Sequence, residues 1–239
     1  MRLAEILKAA SEHGASDIHV IPDHPPMMRV NTVITALDMH VVDASETEAM
    51  LKELVSEQQF AYFKEKQDLD FSFAVQDFAR YRVNAHMQRG TVGMALRIIK
   101  TDVPPMGELN LPEVIGRLTY LPRGLVLVTG DTGSGKTTTL AAMIESMNLR
   151  YRKHIITLED PVEYTLTSKK CLIEQRELGQ DMPSFASGLK HALRQDPDII
   201  LVGEMRDLDT SALAISAAET GHLVLSTLHT VNASQTVER

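Results

Sequence analysis

The stretch that decides the fold is Gly130-Asp131-Thr132-Gly133-Ser134-Gly135-Lys136-Thr137. It fits G-x-x-x-x-G-K-[ST], the phosphate-binding loop of proteins that use ATP or GTP. The apolar run at 125–128 before it predicts a buried strand. Apolar residues at 140, 143, 144 and 147 after it share one helix face. Because strand, loop and helix follow in the expected order, phosphate binding is favoured over a glycine-rich turn that binds nothing.

Each part of this loop has a chemical role. Gly130, Gly133 and Gly135 free the backbone to aim several N–H groups at one point. The following helix adds the partial positive charge of its N-terminus. Lys136 then meets the β- and γ-phosphates as a point charge, and the hydroxyl of Thr137 is placed to hold Mg²⁺. The predicted ligands are therefore ATP and Mg²⁺.

Composition limits the possible partners and compartments. No apolar run among the 239 residues approaches the length of about 20 that spans a bilayer, and residues 1–10 are amphipathic rather than a signal peptide. Cys171 is the only cysteine, which excludes disulfide frameworks. We expect a cytoplasmic protein that is not an integral membrane protein. The net charge of −8 disfavours nucleic acid as a direct partner.

The first hundred residues predict a compact α+β domain. Apolar residues at 3, 6, 7 and 10 indicate a helix, and Ser45-Glu46-Thr47-Glu48 resembles a capping box that opens a second one. In the strand beginning at 79, alternate residues form an apolar and a polar face. The expected helices lie near 3–10, from 45 onward and at 56–66, and the expected strands lie at 17–21, 27–31, 69–75, 79–86 and 91–99.

The rest of the chain predicts a different architecture. Three prolines and a glycine in 101–112 indicate an interdomain linker. After it, alternating strands and helices predict an α/β fold with a mostly parallel sheet covered on both faces. The expected strands lie near 125–129, 154–158, 198–202 and 223–227, and the expected helices near 136–149, 184–195 and 207–220.

Ligands of such sheets bind beyond the carboxyl ends of the strands. Gly130, Glu159, Glu204 and Thr227 follow those ends. An apolar strand that ends in a carboxylate is a second nucleotide signature, and Glu204 is positioned to orient or deprotonate an attacking water. In the common form an Asp precedes this Glu, whereas here Gly203 does. The alternative for Glu204 is a cap or an ion pair with the nearby arginine.

Three acids crowd the segment Glu159-Asp160-Pro161-Val162-Glu163. Mg²⁺ or arginine is needed to offset such charge beside phosphates. Within this segment Glu163 is our candidate for polarising the water or the metal. The alternative is a solvated acidic turn.

Two further groups complete the candidate site. His222 and His229 flank the last strand, and a neutral histidine donates hydrogen bonds to phosphate, although buried histidines are often only structural. Arg82 and Arg97 project from strands of the first domain. Guanidinium groups from a neighbouring domain stabilise phosphoryl-transfer charge, although many such arginines only solubilise a surface.

Four stretches together resemble the secretion-ATPase superfamily of type II secretion and type IV pili. They are GDTGSGKTTT from Gly130, ITLEDPVEY from Ile156, DPDIILVGEMRD from Asp196 and TGHLVLSTLHT from Thr220. The resemblance covers essentially the whole chain. It implies a PAS-like N-terminal domain at 1–100 and a RecA-like ATPase core at 113–239. Family members continue past the last motif, so we expect a core truncated at its C-terminal end.

The resemblance also implies roles for individual residues. Glu204 is the implied general base and Glu163 the acid of the second motif, with Mg²⁺ held at Thr137. His222 and His229 fall at the family's histidine positions, and Arg82 and Arg97 match arginines that reach the γ-phosphate. The implied nucleotide contacts in the loop are Thr132, Gly133, Ser134, Gly135, Lys136, Thr137 and Thr138.

Within this superfamily the chain is most similar to the pilus-retraction branch, because only one helix precedes Ser16-Asp17-Ile18-His19. The resemblance implies a homo-hexamer when the chain is full length, peripheral to the inner membrane at the pilus base, with a pilus platform protein as partner. Alternatives are a pilus-extension or type II secretion ATPase, a RecA-class nucleic-acid translocase, a small-molecule kinase and a non-hydrolysing regulatory module.

Overall fold

The structure is a computed structural model that describes residues 3–75, 79–99, 102–131, 133–230 and 233–238. The chain divides into two compact units, Met1–Ile99 and Lys100–Arg239. Across the described ranges no helix combines the length and apolarity that a bilayer span requires.

The first unit is an antiparallel sheet with helices. Its six strands lie in the order β3-β2-β1-β6-β5-β4. Short hairpins join several neighbouring strands, and the chain later returns so that β6 pairs with β1. The elements are α1 (Leu3–Glu12), β1 (Asp17–Val20), β2 (Met27–Val30), β3 (Val33–Ala36), α2 (Ala44–Leu54), α3 (Glu57–Lys66), β4 (Asp68–Val75), β5 (Ala79–Gln88) and β6 (Thr91–Ile99).

The core of this unit lies on one face of the sheet. Tyr81, Val83 and Ala85 of β5 are fully buried, which confirms the predicted alternation of that strand. The four apolar residues of α1 that share a face are also buried. The opposite face of the sheet carries polar and charged side chains, as antiparallel sheets with one solvated face do. The PAS-like assignment of this unit remains a prediction.

The structure of the first unit differs from the sequence analysis in two places. The cap of α2 is Asp43 rather than Ser45: the Asp43 carboxylate accepts from the backbone N–H of Ser45 and Glu46, and the Glu46 side chain accepts from the N–H of Asp43. The sequence therefore does contain a capping box, two residues earlier than expected. Strand β3 was not predicted, because its sequence does not alternate between apolar and polar residues. All four of its residues are exposed.

The second unit is a parallel α/β structure. All pairs in its five-stranded sheet are parallel, and the strand order is β7-β11-β10-β8-β9, which confirms the predicted fold class. The elements are α4 (Glu113–Leu118), β7 (Gly124–Thr129), α5 (Lys136–Asn148), β8 (His154–Glu159), β9 (Leu172–Glu177), α6 (Phe185–Ala192), β10 (Ile199–Val202), α7 (Leu208–Glu219), β11 (Leu223–Leu228) and α8 (Ala233–Glu238).

Apolar clusters cover both faces of this sheet. Ile155 packs into the cluster that contains α5, and Ile156 packs into the cluster that contains α6 and α7, because successive strand residues point to opposite faces. In the predicted linker, Met106–Glu108 forms a 3₁₀ helix, and Met106 packs on the α5 cluster. The role of 101–112 as a linker remains a prediction. The structure adds one strand that was not expected, β9.

Candidate nucleotide-binding site

The glycine loop between β7 and α5 adopts backbone conformations that require glycine. Gly130, Gly133 and Gly135 have φ values of 146°, 79° and 91°, in the region that side chains with a Cβ rarely occupy. A Cβ at Gly130 would also lie 2.9 Å from Ser134 Oγ. Ser134 donates its N–H to Asp131 O at 3.2 Å. The loop is therefore tightly folded, with Ser134 facing back into it; Thr132 lies outside the described residues.

Helix α5 begins at this loop with an open N-terminus. Its cap residue, Gly135, makes no side-chain hydrogen bond to the first turn, so the N–H groups of that turn remain available for an anion. The Lys136 ammonium folds back across the loop and donates to Gly130 O at 2.9 Å and to Asp131 O at 2.8 Å. Phosphate oxygens are stronger acceptors than carbonyls, so the lysine is positioned to exchange these partners for a phosphate.

A cavity of about 430 Å³ opens beside the loop, within the size range of small-molecule sites. It lies beyond the carboxyl ends of β8, β10 and β11, where ligands of parallel sheets bind. The predicted site residues that line it are Gly133, Gly135, Lys136, Thr137, Thr138, Glu163, Glu204 and His229. Eight residues separated by up to 96 positions in sequence are thus brought to one cavity.

The Glu204 carboxylate contacts two side chains in this cavity. Arg206 Nε lies 2.8 Å from Glu204 Oε2, and His229 Nε2 lies 3.4 Å from Glu204 Oε1. Arg206 also reaches Asp160 Oδ2 at 3.6 Å. The ion pair with Arg206 was anticipated as an alternative to a catalytic role. The two are compatible, because the carboxylate is 20% exposed and lines the cavity.

The most buried acid of the cavity is Glu159, which the sequence analysis placed at a strand end without giving it a chemical role. Glu159 is 8% exposed and its Oε1 accepts from Thr157 Oγ1 at 2.5 Å and from Gln175 Nε2 at 3.0 Å. Burial raises the pKa of this carboxyl above its ordinary value, against the opposing effect of those hydrogen bonds. Glu163, by contrast, is exposed at the cavity wall, where it has access to solvent and ligand.

Gly203 occupies the position before Glu204 at a point where two backbone segments lie close together. Its N–H donates to Leu158 O at 2.7 Å, and a Cβ there would lie 3.1 Å from Leu158 O and 3.4 Å from Glu159 Cα. The residue after β10 therefore lies close to the end of β8, and a side chain there requires the Leu158 carbonyl to shift by a few tenths of an ångström. The buried acid beside this position is instead Glu159, contributed by the neighbouring strand.

We predict that Gly203→Ala destabilises the protein by about 1–3 kcal/mol, because the atoms it meets are backbone and do not move aside cheaply. The matched control is Gly116→Ala in α4, where the nearest atom to the new Cβ is Met106 Cε at 3.8 Å, an ordinary contact. Alanine in a helix favours folding by about 0.5–1 kcal/mol over glycine. Urea unfolding measures the stability of both variants. Unchanged stability of Gly203→Ala would show that the backbone around Leu158 accommodates a Cβ at this position.

The donor set of the cavity fits a magnesium–phosphate complex. The Thr137 hydroxyl and the carboxylates of Glu159, Glu163 and Glu204 line it, and Mg²⁺ prefers such hard oxygen ligands. Within the described residues no three His, Cys, Asp or Glu side chains are already arranged to hold a metal ion.

The two predicted histidines lie at opposite ends of β11. His229 follows its carboxyl end and lines the cavity. His222 precedes Leu223, which pairs with Gly124 at the start of β7. Six strand residues at about 3.3 Å each separate the two ends, roughly 20 Å. The structure therefore does not bring His222 to the cavity, and we leave it out of the proposed phosphate contacts.

The two predicted arginines belong to the first unit. Arg82 and Arg97 are directly opposite each other in the pairing of β5 with β6, on the polar face of the sheet. Arg97 Nε lies 2.9 Å from Asp17 Oδ1. That acid was not expected beside it, since the two residues are 80 positions apart in sequence.

Comparison with known proteins identifies a family and several similar proteins. The profile of the family described as type II/IV secretion system protein matches residues 1–239. The chain is 47% identical over 239 residues to the type IV pilus retraction ATPase PilT of Pseudomonas aeruginosa, covering all of this chain and 70% of that protein. It is 41% identical over 239 residues to the type IV pilus ATPase PilU of the same organism, of which it covers 63%.

A solved structure agrees with these sequence matches. The crystal structure of the pilus retraction motor PilT with bound ADP matches with a TM-score of 0.95 at 45% identity, over all of this chain and 70% of that one. Both units and the glycine loop lie inside the matched region. The chain therefore belongs to the type II/IV secretion system protein family, and it is a P-loop ATPase of that family.

Proposed function

We propose that the full-length protein hydrolyses ATP with Mg²⁺ to power type IV pilus retraction. The observation that carries this proposal is the cavity that unites the loop lysine, the Thr137 hydroxyl and the Glu204 carboxylate, in a chain whose relatives are named for pilus retraction. The same cavity argues for hydrolysis rather than mere binding, since it holds carboxylates beside the phosphate loop.

In the proposed reaction the loop and Lys136 hold the β- and γ-phosphates, and the Thr137 hydroxyl is a ligand of the metal. Bound Mg²⁺ supplies charge neutralisation for the phosphate oxygens. Glu204 accepts a proton from the attacking water, while Arg206 and His229 hold its two oxygens at the cavity wall. Glu163, which is exposed and also lines the cavity, polarises the water or the metal.

Arg82 and Arg97 are proposed to contact the γ-phosphate. Guanidinium groups bind phosphate in a bidentate manner and stabilise the charge of the transferring group. Hydrolysis removes this anionic partner. A ligand shifts a conformational equilibrium only by its difference in affinity for the two states, and the γ-phosphate, which ADP lacks, supplies that difference.

The assembly in which this cycle does work is proposed to be a homo-hexamer in the cytoplasm, attached at the inner membrane to the platform protein of the pilus. The conformational changes of successive subunits would then be transmitted to the pilus as movement. The overall charge of −8 and the aromatic content of 5% favour this over translocation of nucleic acid, which uses basic grooves and aromatic stacking.

Genetic complementation tests the proposal. The full-length gene, introduced into a strain that assembles pili without retracting them, is expected to restore twitching, whereas the Lys136→Ala version is not. The same gene in a strain that lacks pilus extension distinguishes the alternative. Restored piliation there, together with no twitching in the first strain, would assign the protein to extension instead.

A further inference from the structure

One row of side chains crosses the polar face of the first unit's sheet. The backbone register places Arg29, Asp17, Arg97, Arg82 and Ser72 opposite one another on β2, β1, β6, β5 and β4. Directly opposed side chains in antiparallel strands have Cβ atoms about 4.5–5.5 Å apart. The row therefore brings three guanidinium groups together with a single carboxylate.

This carboxylate is fixed in place, whereas the arginine it contacts is accessible. The Asp17 side chain is 17% exposed and the Arg97 side chain is 70% exposed. Ser16 Oγ donates to Asp17 Oδ2 at 2.9 Å, so each oxygen of Asp17 has its own donor. Burial raises the pKa of Asp17, but the hydrogen bonds from Arg97 and Ser16 outweigh it and hold the pKa below its ordinary value.

The contact engages only one side of the guanidinium. Arg97 donates through Nε to Asp17 Oδ1, and within the described ranges its two terminal Nη groups have no partner. Arg29 does not compete for the carboxylate at hydrogen-bond distance, because its Nη1 donates to Thr32 O at 2.7 Å. Asp17 thus accepts a hydrogen bond from Arg97 Nε and leaves the two Nη groups of that arginine available to an anion.

We propose that Asp17 is a positioning residue that holds Arg97 ready for the γ-phosphate. A long arginine side chain loses rotamer freedom when it binds, and the bond at Nε removes part of that loss in advance. The two Nη groups then remain for bidentate contact with phosphate. Asp17 also offsets the repulsion between Arg97 and Arg82, since like charges directly opposite destabilise a sheet. The inference rests on the proposed role of Arg97.

The test compares two nucleotides in the full-length protein. Affinities for ADP and for a non-hydrolysable ATP analogue, each with Mg²⁺, are measured for the parent, Asp17→Ala and Asp17→Asn. Because only the ATP analogue has a γ-phosphate, Asp17→Ala is expected to weaken it about tenfold and to leave ADP unchanged. Asn keeps an acceptor for Nε and is expected to show a smaller loss. Equal weakening of both nucleotides would reject positioning in favour of a general structural effect.

A double-mutant cycle separates this inference from the proposed function. Asp17→Ala is expected to have no further effect in an Arg97→Ala background, because Asp17 acts through that arginine. Asp70→Ala is the matched control: it removes an exposed acid from the same sheet face that contacts Asn84 rather than arginine. If Arg97→Ala lowers affinity for the analogue and Asp17→Ala does not, the inference about Asp17 is wrong and the proposed contact of Arg97 stands. If Arg97→Ala has no effect, the proposed arginine contact fails as well.

Discussion

Glu204→Gln in the full-length protein is expected to reduce steady-state ATP turnover by about 10²- to 10⁴-fold, the contribution of a positioned general base. The substitution keeps the shape of the side chain but cannot accept the proton of the attacking water. Binding of Mg-ATP is expected to persist, because the phosphates are held by the loop and Lys136. Phosphate release and nucleotide affinity, measured on the same preparation, separate the two effects.

The control for this prediction is Asp209→Asn. Asp209 is an exposed acid in the first turn of α7 and lies five residues after Glu204 in sequence without lining the cavity. Its removal changes the charge of the protein equally and is expected to leave turnover intact. Normal turnover in Glu204→Gln would reject the general-base role and leave Glu204 as the structural partner of Arg206.

Lys136→Ala is expected to weaken Mg-ATP binding itself, by about 10- to 100-fold, the value of one strong charged hydrogen bond. The ammonium contact with the phosphates is lost. The bonds of Lys136 to Gly130 O and Asp131 O do not contribute to this loss, because the lysine gives them up when it binds phosphate. Titration with a fluorescent ATP analogue measures the loss, and turnover is expected to fall with it.

Lys190→Ala provides the comparison, because Lys190 is an exposed lysine near the end of α6 that does not line the cavity. It is expected to bind nucleotide as the parent does. If Lys136→Ala and Lys190→Ala bind Mg-ATP equally well, the loop does not hold phosphate and the hydrolytic proposal falls with it.

Local patterns were enough to predict the elements around the loop. The run at 125–128 is continuously apolar and ends at a glycine turn, and the helix face at 140–147 has a helical period. Val126 of that run is buried, while its neighbours are half-buried. The strand β9 escaped prediction for the opposite reason. Leu172–Glu177 contains three charged residues and becomes a strand because it extends an existing edge beside β8.

The identity of the important acids depended on contacts distant in sequence. Within Glu159-Asp160-Pro161-Val162-Glu163 the sequence does not tell which acid is buried. Burial is decided by Gln175 on the unpredicted β9, which donates to Glu159. Asp17 and Arg97 meet only because β1 returns to pair with β6. A signal did exist for Asp43, since Asp43 and Glu46 have the spacing of a capping box.

The position of His222 has a consequence for the protonation of its ring. Nδ1 lies 2.9 Å from Ala217 O, and a carbonyl oxygen only accepts, so Nδ1 carries the hydrogen. In this neutral tautomer Nε2 carries only a lone pair and is a hydrogen-bond acceptor. An oxyanion is also an acceptor, so the ring of an uncharged His222 donates no hydrogen bond to it.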